Sequence, residues 1–185
     1  MLYYTTLNRI RAHSPCSGWK KLLAHLGKTQ ADNEPLPFSV ILEANGLNDA
    51  LWCCRSAPEY DREWRLFAVW CARQVQRLMT DQRSIDALDV SERFANGEAT
   101  LAELAAAREA AWAAAREAAG DAAGAAAWAA ARAAARAAAG AAAWDAARAA
   151  ARAAAREAAR DAAWAAQKEV FAWIVSGGLA EWEGK

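Results

Sequence analysis

The most regular pattern of the chain lies between Leu104 and Lys168, where three alanines and one larger residue recur every four positions. Alanine has the highest intrinsic helix propensity and arginine is close to it, so this alanine-rich repeat is predicted to be helical before packing is considered. A helix turns about 100° per residue, so a four-residue repeat overshoots each turn by roughly 40°. The larger residues therefore spiral around the helix and do not form the straight seam of a heptad coiled coil.

Two arrangements of the repeat are compatible with this pattern. A single rod over residues 100–168 would be about 100 Å long and would expose four Trp rings to water in different directions. An array of antiparallel helices is favoured, because alanine faces let two helix backbones approach closely. Gly120 to Gly124 is a predicted turn with Asp121 as the next N-cap, and Gly140 is a weaker break. The array would contain helices over residues 100–119, 122–139 and 141–168.

Apolar residues in the first hundred positions also recur at helical spacing, and several shorter helices are predicted from them. The residues from Phe38 to Leu42 are tolerated in a strand as well, so a strand there stays an alternative. For the helix after Gly46, Asn48 or Asp49 is the expected N-cap. The predicted helices cover residues 4–12, 17–26, 38–45, 47–55, 59–79 and 81–96.

Two further segments border the alanine-rich repeat. Thr100 and Glu103 have the spacing of a capping box, which predicts that the first alanine-rich helix starts there. After the repeat, residues 169–175 are apolar enough to dock on a core, and a break is expected at residues 176–178. The tail over residues 179–185 is expected to fray.

The composition changes near Thr100 and indicates two regions. The predicted fold class is all-α. A globular N-terminal helical region over residues 1–99 is followed by a region over residues 100–185, which contains the antiparallel alanine-rich helices and a C-terminal docking helix.

Charge is balanced along the chain, with 22 basic and 22 acidic residues and a formal net charge of zero. Nucleic-acid-binding proteins concentrate positive charge on one surface, so nucleic acid is disfavoured as a partner. The N-terminus has no basic segment followed by a long apolar core, and arginines interrupt the alanine stretches. We therefore expect a cytoplasmic protein without a membrane partner.

Catalytic and cofactor motifs are not evident in the sequence. His13 and His25 have no metal-ligating partners at helical spacing and are expected at the surface or at helix ends. The mixed-charge run from Tyr60 to Arg65 is interpreted as a solvated helix face. These features predict a protein that is not an enzyme and that has no cofactor and no metal. The cysteines, expected as buried thiols outside any disulfide framework, are Cys16, Cys53, Cys54 and Cys71.

The arginines and tryptophans of the repeat are the candidate residues for binding a partner protein or a small anionic ligand. Arginine and tryptophan recognise such partners through bidentate and cation–π contacts. A structural explanation is favoured, in which arginine keeps an alanine helix soluble and tryptophan anchors helices that alanine alone packs weakly. The candidates are Trp112, Arg116, Trp128, Arg132, Arg136, Trp144, Arg148, Arg152, Arg156, Arg160 and Trp164.

A set of residues spread along the chain carries a family resemblance. They are Cys16, Gly18, Trp19, Leu51, Trp52, Cys53, the run from Trp64 to Ala68, and the run from Glu92 to Thr100 that leads into the alanine-rich repeat. In this order the chain resembles a bacterial family of immunity proteins, immunity family five, over nearly its whole length. The resemblance implies neutralisation of a toxin by direct protein binding, in a bacterium or a prophage, and it supplies no catalytic residue.

Three functional classes remain open at this point. The first is a protein inhibitor of a toxin or defence factor, which leads because Trp and Arg often dominate protein interfaces. The second is a sponge for a small anion such as a nucleotide, and the third is a structural helical spacer or scaffold. Oligomerisation is possible in each class.

Overall fold

The structure is a computed structural model and describes residues 2–15, 17–118, 132 and 160–178. These residues are mostly helical, and a two-stranded sheet is the only sheet among them. The predicted all-α class is confirmed for this part of the chain. Several predicted features lie outside the described residues. They are the turns near Gly120 and Gly140, the helix over residues 122–139, most of the helix over residues 141–168, and the tail.

The described residues form ten regular elements and three short 3-10 turns. The elements are β1 (Tyr4–Thr5), α1 (Leu7–Ala12), α2 (Gly18–His25), β2 (Leu36–Pro37), α3 (Phe38–Asn45), α4 (Leu47–Cys53), α5 (Asp61–Arg73), α6 (Gln82–Ala95), α7 (Leu101–Ala118) and α8 (Arg160–Val175). The 3-10 turns are Cys54–Ser56, Pro58–Tyr60 and Gln76–Leu78.

The contacts divide the chain into two compact units. The first unit contains residues 1–60 and 168–185, and the second contains residues 61–167. The boundaries between units therefore lie at other positions than the change in composition near Thr100.

The first unit opens with a strand where a helix was predicted. Tyr4 and Thr5 pair antiparallel with Pro37 and Leu36 in β2, so the predicted helix over residues 4–12 is shortened to α1. Thr6 explains the boundary, because its hydroxyl accepts a hydrogen bond from the backbone N–H of Arg9 at 3.2 Å and caps the helix.

The segment after Pro37 is helical, so the strand alternative for residues 38–42 is wrong. Pro37 is extended, with φ −63° and ψ 140°, and serves as the N-cap of α3. Gly46 ends α3 with φ 82°, and the backbone at the same residue begins α4 without a side-chain cap. The predicted cap at Asn48 or Asp49 is therefore wrong, because the glycine turn already redirects the chain and both residues lie inside α4.

Large apolar side chains form the core of the first unit. Phe38, Ile41 and Leu51 are fully buried in α3 and α4. Phe171 and Ile174 are fully buried in the C-terminal half of α8, which agrees with the docking predicted for residues 169–175. The helix α8 runs through residue 168 without a break and ends before Gly177, whose φ is 99°.

The second unit begins with α5, which is shorter than the predicted helix over residues 59–79. It ends at Arg73, and Val75 leaves the helical region with φ −117° and ψ 14°. Val75 is buried and its N–H bonds to the carbonyl of Ala72 at 3.1 Å, which starts the tighter turn of Gln76–Leu78. The last turns of the predicted helix are therefore absent, and the 3-10 turn that follows the buried Val75 takes their place.

Side-chain caps start α6 and α7, and the sequence predicted the cap of α7 but only the bounds of α6. Asp81 accepts a hydrogen bond from the N–H of Arg83 at 2.9 Å and starts α6. Gly97, with φ 78°, closes α6. Thr100 accepts from the N–H of Glu103 at 3.2 Å, and its own N–H donates to the Glu103 carboxylate at 2.7 Å. The predicted capping box is confirmed.

The interface between α6 and α7 combines small buried residues with one buried leucine, Leu104. The buried positions on α6 include Ser84, Ala87 and Ser91, and Ala111 and Ala115 are buried on α7. Side chains of this size let the two backbones lie close together. The larger half-buried side chains that pack around the cluster of Ala87, Leu104 and Ala111 are Val90, Phe94 and Trp112.

One charged residue of the run from Tyr60 to Arg65 departs from the predicted solvated face. The Arg65 side chain is only 9% exposed, and its guanidinium carbon lies 4.9 Å from the centre of the Phe94 ring. Burial lowers the pKa of Arg65, and the Asp61 carboxylate 3.8 Å away opposes that shift. The long aliphatic stem and the cation–π contact explain how an arginine packs there.

Candidate functional site

The outward side of α7 is the candidate site. Leu101 is 71% exposed, and Arg108, Glu109 and Arg116 are exposed as well, whereas Trp112 is half-buried. By helical geometry these positions lie within an arc of about 100° and extend for roughly 22 Å along the axis. We call this surface the α7 face. Its members are Leu101, Ala105, Arg108, Glu109, Trp112 and Arg116.

Several contacts hold the helix that carries this face. The capping box fixes its first turn, and Glu103 also lies 3.5 Å from Arg93 of α6. Near the other end, Arg83 of α6 forms a bidentate ion pair with Glu117. On the inner side, Ala111 is fully buried against α6. The α7 face is therefore presented on a helix fixed along its length.

The charged groups around α7 stabilise one another. The backbone N–H and the hydroxyl of Thr100 lower the pKa of the Glu103 carboxyl. The hydrogen bond from Arg83 lowers the pKa of Glu117, and Asp81 with Glu117 raises the pKa of Arg83. These carboxylates are thus charged at neutral pH, and the α7 face lies between fixed ion pairs.

Trp112 contributes to packing as well as to the surface. Its side chain packs against the cluster of Ala87, Leu104 and Ala111, which agrees with the structural explanation given for the repeat tryptophans. Part of the ring remains open to solvent. Truncation of Trp112 would therefore affect both stability and any binding to the α7 face.

The structure brings only some of the predicted site residues together. Trp112 and Arg116 share the α7 face, and Trp164 is half-buried in α8. Arg132 is half-buried, and Arg160 is the first residue of α8. The predicted residues outside the described part of the chain are Trp128, Arg136, Trp144, Arg148, Arg152 and Arg156.

Four members of the α7 face are not among the candidates chosen from the sequence, namely Leu101, Ala105, Arg108 and Glu109. Leu101 lies before the repeat, and Glu109 lies directly after Arg108 within it. Helical periodicity indicates that Leu101 lies outside the buried stripe of α7, because the buried positions Leu104 and Ala111 lie on another side of the helix. An apolar residue outside the buried stripe of a helix is a candidate contact residue.

An anion pocket is not formed by the arginines described on α7. Arg108 and Arg116 are eight residues apart, which places them about 12 Å apart along the axis. Arg108 also lies 3.1 Å from the Glu109 carboxylate. A single small anion therefore does not contact both guanidinium groups on this helix.

Other groups with potential chemistry lie away from one another. His13 and His25 are exposed at the ends of α1 and α2, as predicted. Cys54 and Cys71 are buried thiols, and burial raises the pKa of each well above its ordinary value. Among the described residues, no group of His, Cys, Asp and Glu has a metal-binding arrangement.

Some residues of the family resemblance line a small pocket in the first unit. Trp19, Trp52 and Cys53 contribute apolar walls, and Asn45 donates to the carbonyl of Gly18 at 2.8 Å. A Cβ atom at Gly18 would lie 2.0 Å from the Asp49 carboxylate. The centre of a water molecule can occupy about 20 Å³ of this pocket, which is room for one ordered water. These residues therefore have a packing explanation.

No family model, no curated protein and no solved structure matches this chain. In the part of the chain that the structure describes, none of the helices combines the length and apolar character needed to cross a membrane.

Proposed function

We propose that this protein is a non-catalytic protein-binding module that neutralises a toxin or defence factor by direct binding through the α7 face. The observation that supports this proposal is the exposure of Leu101 and Arg116 on the same face as the partly open ring of Trp112. Apolar, aromatic and arginine side chains are typical of interface hot spots.

The rigidity of α7 supports the same proposal. Binding costs less free energy when the contacting residues are already ordered, and α7 is fixed by its capping box and by the Arg83–Glu117 ion pair. The alternation of basic and acidic residues on the α7 face suits a protein surface better than a polyanion. The resemblance to immunity proteins supplies the class of partner.

We also propose that the alanine-rich repeat continues from α7 as an array of antiparallel helices. The interface between α6 and α7 supports this proposal, because Ala87, Ala107 and Ala111 contribute to its packed cluster. Repeated alanine faces allow further helices to pack in the same way. The array would present the remaining repeat tryptophans and arginines beside the α7 face, in the cytoplasm.

A growth-rescue screen tests the proposed function. Genomic fragments of the native host are expressed in a test bacterium with and without this protein, and fragments that arrest growth only in its absence are retained. The toxic protein is then purified and titrated against the wild-type chain by calorimetry. We expect a complex of fixed stoichiometry.

Matched substitutions locate the binding surface. Arg116→Ala should weaken binding by about 30-fold if this side chain is a hot spot. Arg11→Ala, which removes an exposed arginine of the first unit, should leave the affinity unchanged. Helicity should persist in both variants, because alanine is the better helix former.

Several results would overturn the proposal. Rescue without a direct complex would exclude neutralisation by binding. Equal affinities of Arg116→Ala, Arg108→Ala and the wild-type chain would remove the α7 face from the interface. A small anion that co-purifies with the protein in native mass spectrometry, with no toxic partner found, would favour the anion sponge.

A further inference from the structure

The small pocket in the first unit contains two polar groups that the packing of its apolar walls does not explain. We call it the Asp49 pocket, and its lining includes Trp19, Asn45, Asp49 and Trp52. Asp49 is half-buried and forms no ion pair in the described part of the chain. Its one hydrogen bond among those residues comes from Nδ2 of Asn45 at 2.7 Å. The pocket therefore carries a negative charge without a cationic partner.

The side-chain amide of Asn45 contributes a second acceptor. Its Nδ2 donates to the carbonyl of Gly18 at 2.8 Å and to the Asp49 carboxylate. Because both partners accept hydrogen bonds, they fix the orientation of the amide, and Oδ1 is the acceptor that remains. Oδ1 is buried and has no hydrogen-bond partner among the described residues. A donor is expected beside it, since buried polar atoms are rarely left unpaired.

The size and the walls of the Asp49 pocket suit an ammonium group. Such a group is about as large as a water molecule, and the pocket has room for one. Its N–H groups match the acceptors that Asn45 and Asp49 leave open. Trp19 and Trp52 are half-buried, and tryptophan attracts a cation more strongly than the other aromatic side chains. The pocket opens to solvent, so an alkyl stem on the ammonium group can leave through its mouth.

A cation of the chain already lies against one wall of the pocket. The guanidinium carbon of Arg55 is 4.4 Å from the centre of the Trp52 ring. Arg55 is exposed, so water and salt screen its charge, whereas Asp49 is half-buried and is screened less. The contact with Arg55 shows that the Trp52 ring accepts a cation.

Other classes of small ligand satisfy the two polar groups less well. An anion would be repelled by the carboxylate of Asp49. An apolar group would fill the space but leave both acceptors without a donor. Water donates to Asn45 but does not neutralise Asp49. A cationic donor is therefore the ligand that satisfies both groups.

We propose that the Asp49 pocket binds a primary ammonium group, carried by a small alkylamine or by a lysine side chain. Asp49 pairs with the charge, Oδ1 of Asn45 accepts a hydrogen bond, and Trp19 and Trp52 shield the group from water. The pocket belongs to the first unit and the α7 face to the second, so this site goes beyond the proposed function and does not depend on it.

Titration of the wild-type chain followed by NMR tests the ammonium site. The probes are methylammonium and N-acetyl-lysine amide, and N-acetyl-norleucine amide is the matched control with an alkyl chain but no charge. Trp19→Phe and Trp52→Phe assign the indole N–H signals. We expect saturable shifts of both signals with both ammonium probes at millimolar concentrations, and no shift with the control. Tighter binding of the lysine probe would identify lysine as the source, and equal affinities would identify a small amine.

Substitutions attribute the binding to Asp49. Asp49→Asn keeps the size of the side chain but removes its charge, and should weaken the binding of methylammonium about tenfold. Glu43→Gln removes an exposed carboxylate of α3 in the same unit and should bind as the wild type does. Circular dichroism verifies that both variants are folded. If Asp49→Asn does not fold, the comparison of charged and uncharged probes on the wild-type chain still tests the site.

Three results would overturn the ammonium site. One is the absence of saturable shifts at Trp19 and Trp52 with either ammonium probe. Another is an equal response to N-acetyl-norleucine amide, which would indicate a purely apolar pocket. The third is wild-type affinity in a folded Asp49→Asn variant. None of these results bears on the rescue of growth or on the calorimetric titration with the toxic protein, so failure of this inference is distinguishable from failure of the proposed function.

Discussion

The core of the first unit and the interface between α6 and α7 are stabilised in different ways. Phe38, Ile41 and Leu51 fill the first with large apolar side chains, each fully buried. Ala87 and Ala111 provide contacts in the second through methyl groups only, also fully buried. Burial of apolar area dominates the stability of the core of the first unit. Close backbone approach, helix caps and ion pairs account for much of the stability of the α6–α7 interface.

This difference predicts opposite sensitivities to mutation. A core of large side chains loses most when a side chain is truncated, because a cavity remains. The interface between α6 and α7 has few large side chains to truncate and loses most stability when one of its small side chains is enlarged. Four substitutions test this contrast.

Truncation in the first unit should have the largest effect. Phe38→Ala removes a fully buried ring and should lower the free energy of unfolding by about 3–5 kcal/mol. Phe38→Leu keeps most of the volume and serves as the control, with a smaller loss. Urea denaturation followed by circular dichroism measures both, and equal effects of the two substitutions would contradict a packed core at this position.

Enlargement between α6 and α7 should have the next largest effect. Ala111→Leu inserts a bulky side chain at a fully buried position and should cost about 1–3 kcal/mol. Ala105→Leu makes the same change on the exposed side of α7 and should be nearly neutral. If Ala111→Leu were as well tolerated in thermal unfolding as Ala105→Leu, the two helices would not be closely packed.

Loss of the cap on α7 should have a smaller effect. Thr100→Ala removes the hydroxyl that accepts from the N–H of Glu103 and should lower stability by about 1 kcal/mol. Thr100→Ser retains the hydroxyl and should recover most of this loss. Chemical denaturation compares the variants, and a Ser variant no better than the Ala variant would argue against the cap.

Acid should weaken the contacts of α7 through its carboxylates. The pKa of Glu117 is lower in the folded protein than its ordinary value of 4.5, because Arg83 donates to the carboxylate. Its contribution to stability is therefore complete above about pH 4.5 and is lost as the pH falls through the folded pKa. Glu117→Gln should show a smaller loss of thermal stability between pH 6 and pH 3 than the wild type, by differential scanning calorimetry.

The control for this prediction is Glu98→Gln, at an exposed carboxylate outside the Arg83 ion pair. It should retain the pH dependence of the wild-type chain. A pH dependence of Glu117→Gln identical to that of the wild type would show that the ion pair contributes nothing measurable in solution, as many exposed pairs do.

Local signals in the sequence were sufficient for the helices whose ends are fixed by local chemistry. The capping box at Thr100, the cap at Asp81 and the glycine at position 97 each act within a few residues, and the predicted starts and stops at these points agree with the structure. The helix over residues 38–45 was likewise found between Pro37 and Gly46.

Contacts between distant residues decided the features that local signals missed. Tyr4 joins a strand because residues 36 and 37 lie beside it, and α5 ends early because Val75 is buried. Arg65 is buried because the Phe94 ring covers its guanidinium group. None of these contacts leaves a signature at short range, so helical periodicity alone extends α1 and α5 too far.

For the candidate site, the sequence identified Trp112 and Arg116 but did not reveal their surroundings. The composition showed that the repeat carries tryptophan and arginine. The structure adds that Trp112 packs partly inward, whereas the side chain of Arg116 is exposed. Leu101 was missed because its exposure depends on which side of α7 contacts α6.

Covalent footprinting of the complex with the toxic protein tests whether the α7 face is the binding surface. Hydroxyl radicals oxidise exposed side chains, and Leu101 and Leu2 are both exposed leucines, at 71% and 46%. If the α7 face is the binding surface, oxidation of Leu101 falls several-fold in the complex while that of Leu2 is unchanged. Unchanged oxidation of Leu101 in a saturated complex would contradict the assignment of binding to α7.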